Sequence, residues 1–422
     1  MSGGRAPLVP VELALETILR TVRPLGEEPA ALGLARGRII ARDVIAPRDL
    51  PPWDNSSVDG YAVIAQDLLA ASPARPVTLT VLEEIPAGHM PTRRVAPGGA
   101  SRIMTGAPMP EGADAVVMVE DTALDGDRVL VRAAVEAGES VRLRGQDVRA
   151  GAPVIPSGRR VRAAEIGMLA SLGCETVRVG RRPRVGVLAT GDELLAVGET
   201  ARDDRIFDVN SHAVAAQVEE AGGIPVLLGI ARDRAEDVRA CLGSLDALDA
   251  LIVCGGVSVG RYDVVKDVLT GMGMTLEFWR VAMRPGSPMA FGTLGARPVF
   301  GLPGNPVSSM VTFEIFVRPA LLRMAGAAAV DRPAVEAELG VSIDKGAGKT
   351  HFVRARLSRE GERLRATPTG SQDSGVLASM VAADGLIVLP SEAGRCEVGQ
   401  RVEVRLLSGD PIDFSRRSEH GV

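Results

Sequence analysis

From Arg184 to Gly326 short apolar runs alternate with amphipathic segments, the pattern left by a parallel sheet with crossover helices. Residues 185–189, 225–230, 250–254, 276–282 and 298–302 read as the strands. Helices are predicted over about 211–221, 235–245, 264–269 and 306–324. In the last of these Val307, Val311 and Ile315 recur at i, i+4 and i+8, on one face.

The flanks carry a different pattern. Residues 54–144 hold β-like runs at 77–82 and 115–119, punctuated by the turns Ala96-Pro97-Gly98-Gly99 and Ala107-Pro108-Met109-Pro110. After Asp331-Arg332-Pro333 short alternating runs return at 352–357, 385–389 and 401–406, which predicts a small separate β domain. Residues 8–42 and 161–173 read as helical and are joined into one domain that the β insertion interrupts. With 422 residues the chain has room for two to four domains and a sizeable core.

Composition narrows the function classes. Aromatic residues make up only 3% of the chain and the net charge is −5, so neither base-stacking surfaces nor a phosphate-binding basic excess is present, and nucleic acid is not expected as a partner. No apolar window approaches the ~18 residues of a membrane span, and the N-terminus lacks a signal-peptide core, so a cytoplasmic protein with no membrane partner is expected. Cys174, Cys241, Cys254 and Cys396 form no C-x-x-C pair, and His89, His212, His351 and His420 form no H-E-x-x-H. Structural thiols, rather than disulfides or a zinc site, follow.

In an open α/β sheet, ligands bind beyond the carboxyl ends of the strands. The loops predicted there are polar: Thr190-Gly191-Asp192-Glu193, Arg232-Asp233-Arg234, the turn from Gly255 to Asp263, Arg284-Pro285-Gly286-Ser287-Pro288, and Pro303-Gly304-Asn305-Pro306. The turn lacks the spacing of a P-loop or a dinucleotide fingerprint. Even so, Gly255, Gly256, Ser258 and Gly260 can aim backbone N–H groups at an anion, or simply make a tight turn. Asn305 before Pro306 has the same logic at a second helix start, with plain capping as the alternative. Asp263 sits at an N-cap position, a role worth about 1 kcal/mol. Glu193 and Asp233 belong to the same edge, and acids beside a phosphate site repel the ligand unless a cation lies between them. Magnesium, which takes one or two carboxylates plus substrate phosphates, resolves that conflict. Arg280, Arg284 and Lys266 either serve a further anion or are solvated surface charges.

These residues resemble the MoeA family of molybdopterin molybdenumtransferases, which includes the C-terminal domain of gephyrin. The resemblance rests on the run from Pro51 to Ala62 (PPWDNSSVDGYA), Arg144-Gly145-Gln146-Asp147, Thr190-Gly191-Asp192-Glu193-Leu194, the turn from Gly255 to Asp263, and Gly301-Leu302-Pro303-Gly304-Asn305-Pro306. The motifs keep family order from about Leu8 to Leu407.

The implied fold is a multidomain α/β chain. A central doubly wound, mostly parallel sheet of molybdopterin-binding type is joined by an inserted β domain, an N-terminal mixed domain and a C-terminal β-barrel. The implied boundaries are 1–53 and 145–182 for the mixed domain, 54–144 for the insertion, 183–328 for the α/β domain and 329–422 for the barrel. The resemblance also implies a homodimer with a shared active site, and transient contacts with other cofactor-biosynthesis proteins or acceptor enzymes.

By the same resemblance the substrates are adenylyl-molybdopterin and molybdate, and AMP leaves with the help of Mg²⁺ as molybdenum cofactor forms. Asp59, Asp147, Glu193, Asp233 and Asp263 match the functional carboxylates, with Glu193, Asp233 and Asp263 as metal ligands. Thr190, Gly191, Gly255, Gly256, Ser258, Gly260, Lys266, Pro303, Gly304 and Asn305 fall on the pterin side, and Arg280, Arg284, Arg354 and Ser374 on the molybdate side. Departures cluster among the basic residues. Arg280, Arg284 and Ser287 stand where lysines are common, and Asp373 replaces a glycine in Gly370-Ser371-Gln372-Asp373-Ser374-Gly375. A weakly catalytic scaffold, the related adenylyltransferase step, and tungstate in place of molybdate are the competing readings.

Overall fold

The structure is a computed structural model and describes residues 8–243, 245–256, 264–409, 412 and 414. Its central sheet has six strands in the order Ile224–Ala231, Arg184–Thr190, Ala250–Cys254, Arg297–Leu302, Ala290–Leu294, Met274–Phe278. The first four run parallel; Ala290–Leu294 is antiparallel to them, and Met274–Phe278 is antiparallel to Ala290–Leu294. Ala250–Cys254 is buried along its whole length, which is why it reads as a continuous apolar run rather than an alternating one.

Two strand expectations change. Residues 279–282 leave the sheet after Phe278 and meet the segment around Val9 instead, where Val281 bridges Val9 and Ala282 N donates to Val9 O at 2.7 Å. The strand Ala290–Leu294 was not foreseen. It contains Gly292, where a Cβ would lie 2.4 Å from Thr275 O, so the close strand approach depends on a residue with low strand propensity.

Crossover helices Asn210–Glu220, Ala235–Leu242 and Val264–Gly271 cover the sheet. The predicted helix 306–324 is three pieces end to end: Pro306–Thr312, a π-helical turn Phe313–Val317, and Arg318–Met324. Pro319 accounts for the break, because it cannot donate to the carbonyl four residues back and its ring needs room.

The expectation of helix through 8–42 is also corrected. Only Val11–Thr21 is α-helical, whereas Glu27–Ala31 pairs antiparallel with Thr176–Gly180. Pro24, Gly26 and Pro29 end the helix and favour extended chain. Val11, Ala14 and Ile18 pack into the largest core together with Val311, Phe316, Leu321 and the barrel residues Phe352 and Leu386. Each large aliphatic side chain so buried contributes ~1.5–3 kcal/mol. The second predicted helix, Ala163–Ser171, is present, and Glu165 Oε2 accepts from the Arg162 N–H at 2.9 Å.

Chain runs into and out of the β insertion side by side. Val44–Ile45 pairs with Pro153–Ile155, Leu50 bridges Val148, and Asn55–Ser56 pairs with Val141–Arg142. Beyond this ribbon lies a six-stranded sheet in the order Ala115–Met118, Gly60–Val63, Gly99–Ile103, Val77–Ile85, Arg128–Val131, Thr122–Asp125. At the other end of the chain Thr350–Glu360, Arg363–Pro368, Ala334–Leu339, Arg401–Leu406 and Gly385–Leu389 close on themselves as a five-stranded barrel. The short strand Met283–Arg284 pairs in parallel with Thr350–His351 and ties the barrel to the central sheet. Among the described residues no helix is long and apolar enough to cross a membrane.

Candidate active site

All four parallel strands end at one cavity of about 830 Å³. Gly191 and Glu193 follow Arg184–Thr190, Asp233 follows Ile224–Ala231, Gly255 and Gly256 follow Ala250–Cys254, and Pro303, Gly304 and Asn305 follow Arg297–Leu302. The far wall is built by Arg284 and Ser287 and by the barrel residues Lys349, Gln372, Asp373 and Ser374.

One end is acidic. Asp233 N donates to Asp192 Oδ1 at 3.3 Å, and the Glu193 carboxylate folds over Gly191, where an added Cβ would lie 2.5 Å from Glu193 Oε2. Burial and then the negative charges of Asp192 and Glu193 raise the Asp233 carboxyl above its ordinary value. Arg232 forms no ion pair with these acids among the described residues; its Nη1 donates instead to the carbonyls of Asp192 and Leu194, both at 3.0 Å. Among the described residues no three His, Cys, Asp or Glu side chains form a complete metal-binding group. The acids feel one another's charge without making a closed ligand cage. Their oxygen donors are of the kind a hard cation such as Mg²⁺ takes, and such a cation needs only one or two carboxylates from the protein.

The floor needs glycine. Gly255 and Gly256 have φ of +91° and +64°, and Cβ atoms there would lie 2.7 Å from Thr190 O and 2.6 Å from Val265 Cγ2. Thr190, 5% exposed, backs this turn. Ser258, Gly260 and Asp263 lie outside the described residues.

Asn305 corrects an expectation. It occupies the N-cap position of Pro306–Thr312 but makes no side-chain cap; its Nδ2 donates across the cavity to Ser374 Oγ at 2.7 Å. Val307 N donates to Ser374 O at 3.2 Å, so a barrel loop caps the helix and takes one of the amides expected to face an anion.

Arg354 is also placed differently from the expected oxyanion contact. It is 1% exposed, and its guanidinium donates to Ser379 Oγ at 3.1 Å, Asp373 O at 3.0 Å and Ser371 O at 3.3 Å. Arg354 therefore supports the loop that carries Ser374 from beneath. Asp373, the departure from glycine, accepts from Gly375 N at 2.8 Å and closes the same loop. Lys266 is exposed with its Nζ 4.8 Å from the Trp279 ring centroid, and neither it nor Arg280 lines the cavity.

Asp59 and Asp147 are exposed in the insertion and its ribbon and are not among the cavity's lining residues. Thr105 N and Thr105 Oγ1 each donate to Asp59 Oδ1 at 2.7 Å and hold its carboxyl below the ordinary value.

Sequence reasoning missed three lining residues. Asp208, 4% exposed, accepts from Ser211 N at 3.0 Å and from the Ser211 hydroxyl. Asn210 Nδ2 donates to Gly304 O at 2.7 Å. The Asp208-x-x-Ser211 spacing is a capping signal that could have marked this helix start. Lys349 carried no signal, because only strand pairing in space brings it to the cavity.

Three family models match in chain order: "MoeA N-terminal region (domain I and II)" over residues 9–173, "Probable molybdopterin binding domain" over 186–323, and "MoeA C-terminal region (domain IV)" over 336–407. A protein of Mycobacterium tuberculosis (strain CDC 1551 / Oshkosh) named molybdopterin molybdenumtransferase 2 is 39% identical over 395 residues, 92% of this chain and 96% of the relative. The molybdopterin molybdenumtransferase of Bacillus subtilis (strain 168) is 34% identical over 404 residues, 94% of each chain. In structure, the chain is similar to the crystal structure of the molybdopterin biosynthesis MoeA protein of Pyrococcus horikoshii OT3, with a TM-score of 0.83 at 30% identity, over 95% of this chain and 100% of that one. The chain belongs to the molybdopterin molybdenumtransferase (MoeA) family, transferases of molybdenum cofactor biosynthesis.

Proposed function

We propose that the cavity binds adenylyl-molybdopterin and molybdate, and that molybdate joins the dithiolene sulfurs as AMP leaves. The observation that carries this reading is the separation of charge along the cavity: Asp233 and Glu193 follow the first two strands of the sheet order, whereas Ser374 is bonded to Asn305 after the fourth and Arg284 lies on the segment paired with the barrel. A substrate with a phosphate linkage at one end and an oxyanion-accepting dithiolene at the other needs that separation of charge.

The Gly255–Gly256 turn lets the backbone approach the adenylate without side-chain interference. Glu193 and Asp233 are the described residues that would hold Mg²⁺, which when bound offsets phosphate charge as the leaving group departs. Asp263 is the third carboxylate of this reading. At the opposite end Arg284 attracts the molybdate dianion, and the Ser374 hydroxyl, which accepts from Asn305, keeps its own proton to donate. Arg354 keeps the Ser374 loop in place.

Asp59 and Asp147 enter through a homodimer in which one subunit's insertion faces the other's cavity. Their exposure, and their lying outside the lining of their own cavity, agree with that role. Purified protein given adenylyl-molybdopterin, Mg²⁺ and molybdate should release AMP and yield cofactor that activates an apo-molybdoenzyme. Release that is indifferent to molybdate, or consumption of ATP with metal-free molybdopterin, would contradict the reading.

A further inference from the structure

Molybdate is a dianion, and cationic side chains beside it strengthen its binding through charge-assisted hydrogen bonds. Among the described residues that line the cavity, the cations are Arg284 and Lys349. Ser287 is neutral, and its hydroxyl is already donated to Val281 O at 2.9 Å. Neither Arg284 nor Lys349 has a carboxylate within ion-pair distance among the described residues, although Asp373 lines the same wall.

Lys349 reaches the wall by backbone pairing. Met283 pairs with Thr350 and Arg284 with His351, while Thr350 N donates to Ala282 O at 2.9 Å. The residue just before Thr350 is thereby fixed beside the Arg284 segment, whatever the rest of the barrel does.

We propose that Lys349 is the second cation of the oxyanion end, a specificity-determining residue for a tetrahedral dianion, supplied by the barrel because the sheet's own loop carries Ser287. This rests on the reading of the cavity as the molybdate-insertion site. A barrel that contributes charge to the substrate also explains why its strand Thr350–Glu360 is stitched to the Arg284 segment rather than left independent of it.

The test compares wild type, Lys349→Met, Lys349→Arg and Lys349→Met with Ser287→Lys, using molybdate itself as the probe. Lys349→Met should raise the molybdate KM roughly tenfold or more, the scale of one charge-assisted contact, and leave the KM for adenylyl-molybdopterin unchanged. Lys349→Arg should retain most of the affinity, and Ser287→Lys should restore it in the methionine variant. In the same variant the His351 imidazole should titrate at higher pH by NMR, because Lys349 is one of the charges that hold it down. An unchanged molybdate KM in Lys349→Met, or a loss confined to kcat that Ser287→Lys does not repair, overturns the proposal while leaving the cavity's role intact. Wild-type AMP release that ignores molybdate overturns both.

Discussion

Asn305 Nδ2 donates to Ser374 Oγ at 2.7 Å, so the loop ending the fourth parallel strand is tied to a loop of the barrel across the cavity. With Val307 N on Ser374 O, the helix start is capped from outside its own chain segment. Asn305→Ala should cost about 1 kcal/mol of stability, the net worth of one such hydrogen bond, and should raise the molybdate KM. Asn305→Ser separates this account from local capping. Serine is a good cap and should recover stability but not the KM, as thermal melts and steady-state kinetics will show.

Gly256 combines φ of +64° with a Cβ position 2.6 Å from Val265 Cγ2. Gly256→Ala is therefore expected to cost ~1–2 kcal/mol from backbone conformation alone, with the contact adding more. Weaker binding of the adenylylated substrate should accompany a lower melting temperature, with the molybdate KM affected less. Calorimetric binding beside a melt measures both.

His351 is held down to about 4 by burial first and then by the charges of Lys345, Arg284 and Lys349, whereas the imidazole ordinarily titrates near 6.5. The unfolded chain therefore takes up this proton before the folded one. Stability from this group is complete above pH 6.5, falls as pH drops from 6.5 to about 4, and loses nothing further below that. His351→Gln should flatten that part of the stability curve, read by urea denaturation at pH 7, 5.5 and 4.5.

Asp233 shifts the other way for an acid. Its carboxyl is raised by burial and by Asp192 and Glu193, so the folded state binds the proton more tightly than the unfolded chain does. Ionised Asp233 thus destabilises the apoprotein above its folded value, and the cost disappears below the ordinary value of 3.8. Asp233→Asn should melt higher than wild type at neutral pH without metal, lose that advantage in acid, gain less from added Mg²⁺, and fail in AMP release. Melts with and without Mg²⁺ check the first three outcomes.

The central sheet was legible because strands buried on both faces leave apolar runs and crossover helices leave amphipathic ones, as at Ala250–Cys254 and Asn210–Glu220. Ala290–Leu294 was hidden by Gly292, whose role is close approach rather than packing. The loops bearing Glu193, Asp233 and Asn305 were legible from their place after strands. The destination of the Asn305 side chain was not, because a cap and a crossing hydrogen bond use the same residue type. Arg354 shows the complementary limit. The resemblance put it on the molybdate side, while its 1% exposure and three loop partners make it a support of the Ser374 loop.

A crystal structure of the protein with adenylyl-molybdopterin bound tests the central claim most directly. The adenylate phosphates should lie against Gly255 and Gly256 beside Glu193 and Asp233, with the dithiolene toward Arg284 and Ser374. A pterin found in the separate cleft lined by Gln217, Glu314 and Arg332, or bound in the reverse orientation, would contradict the account.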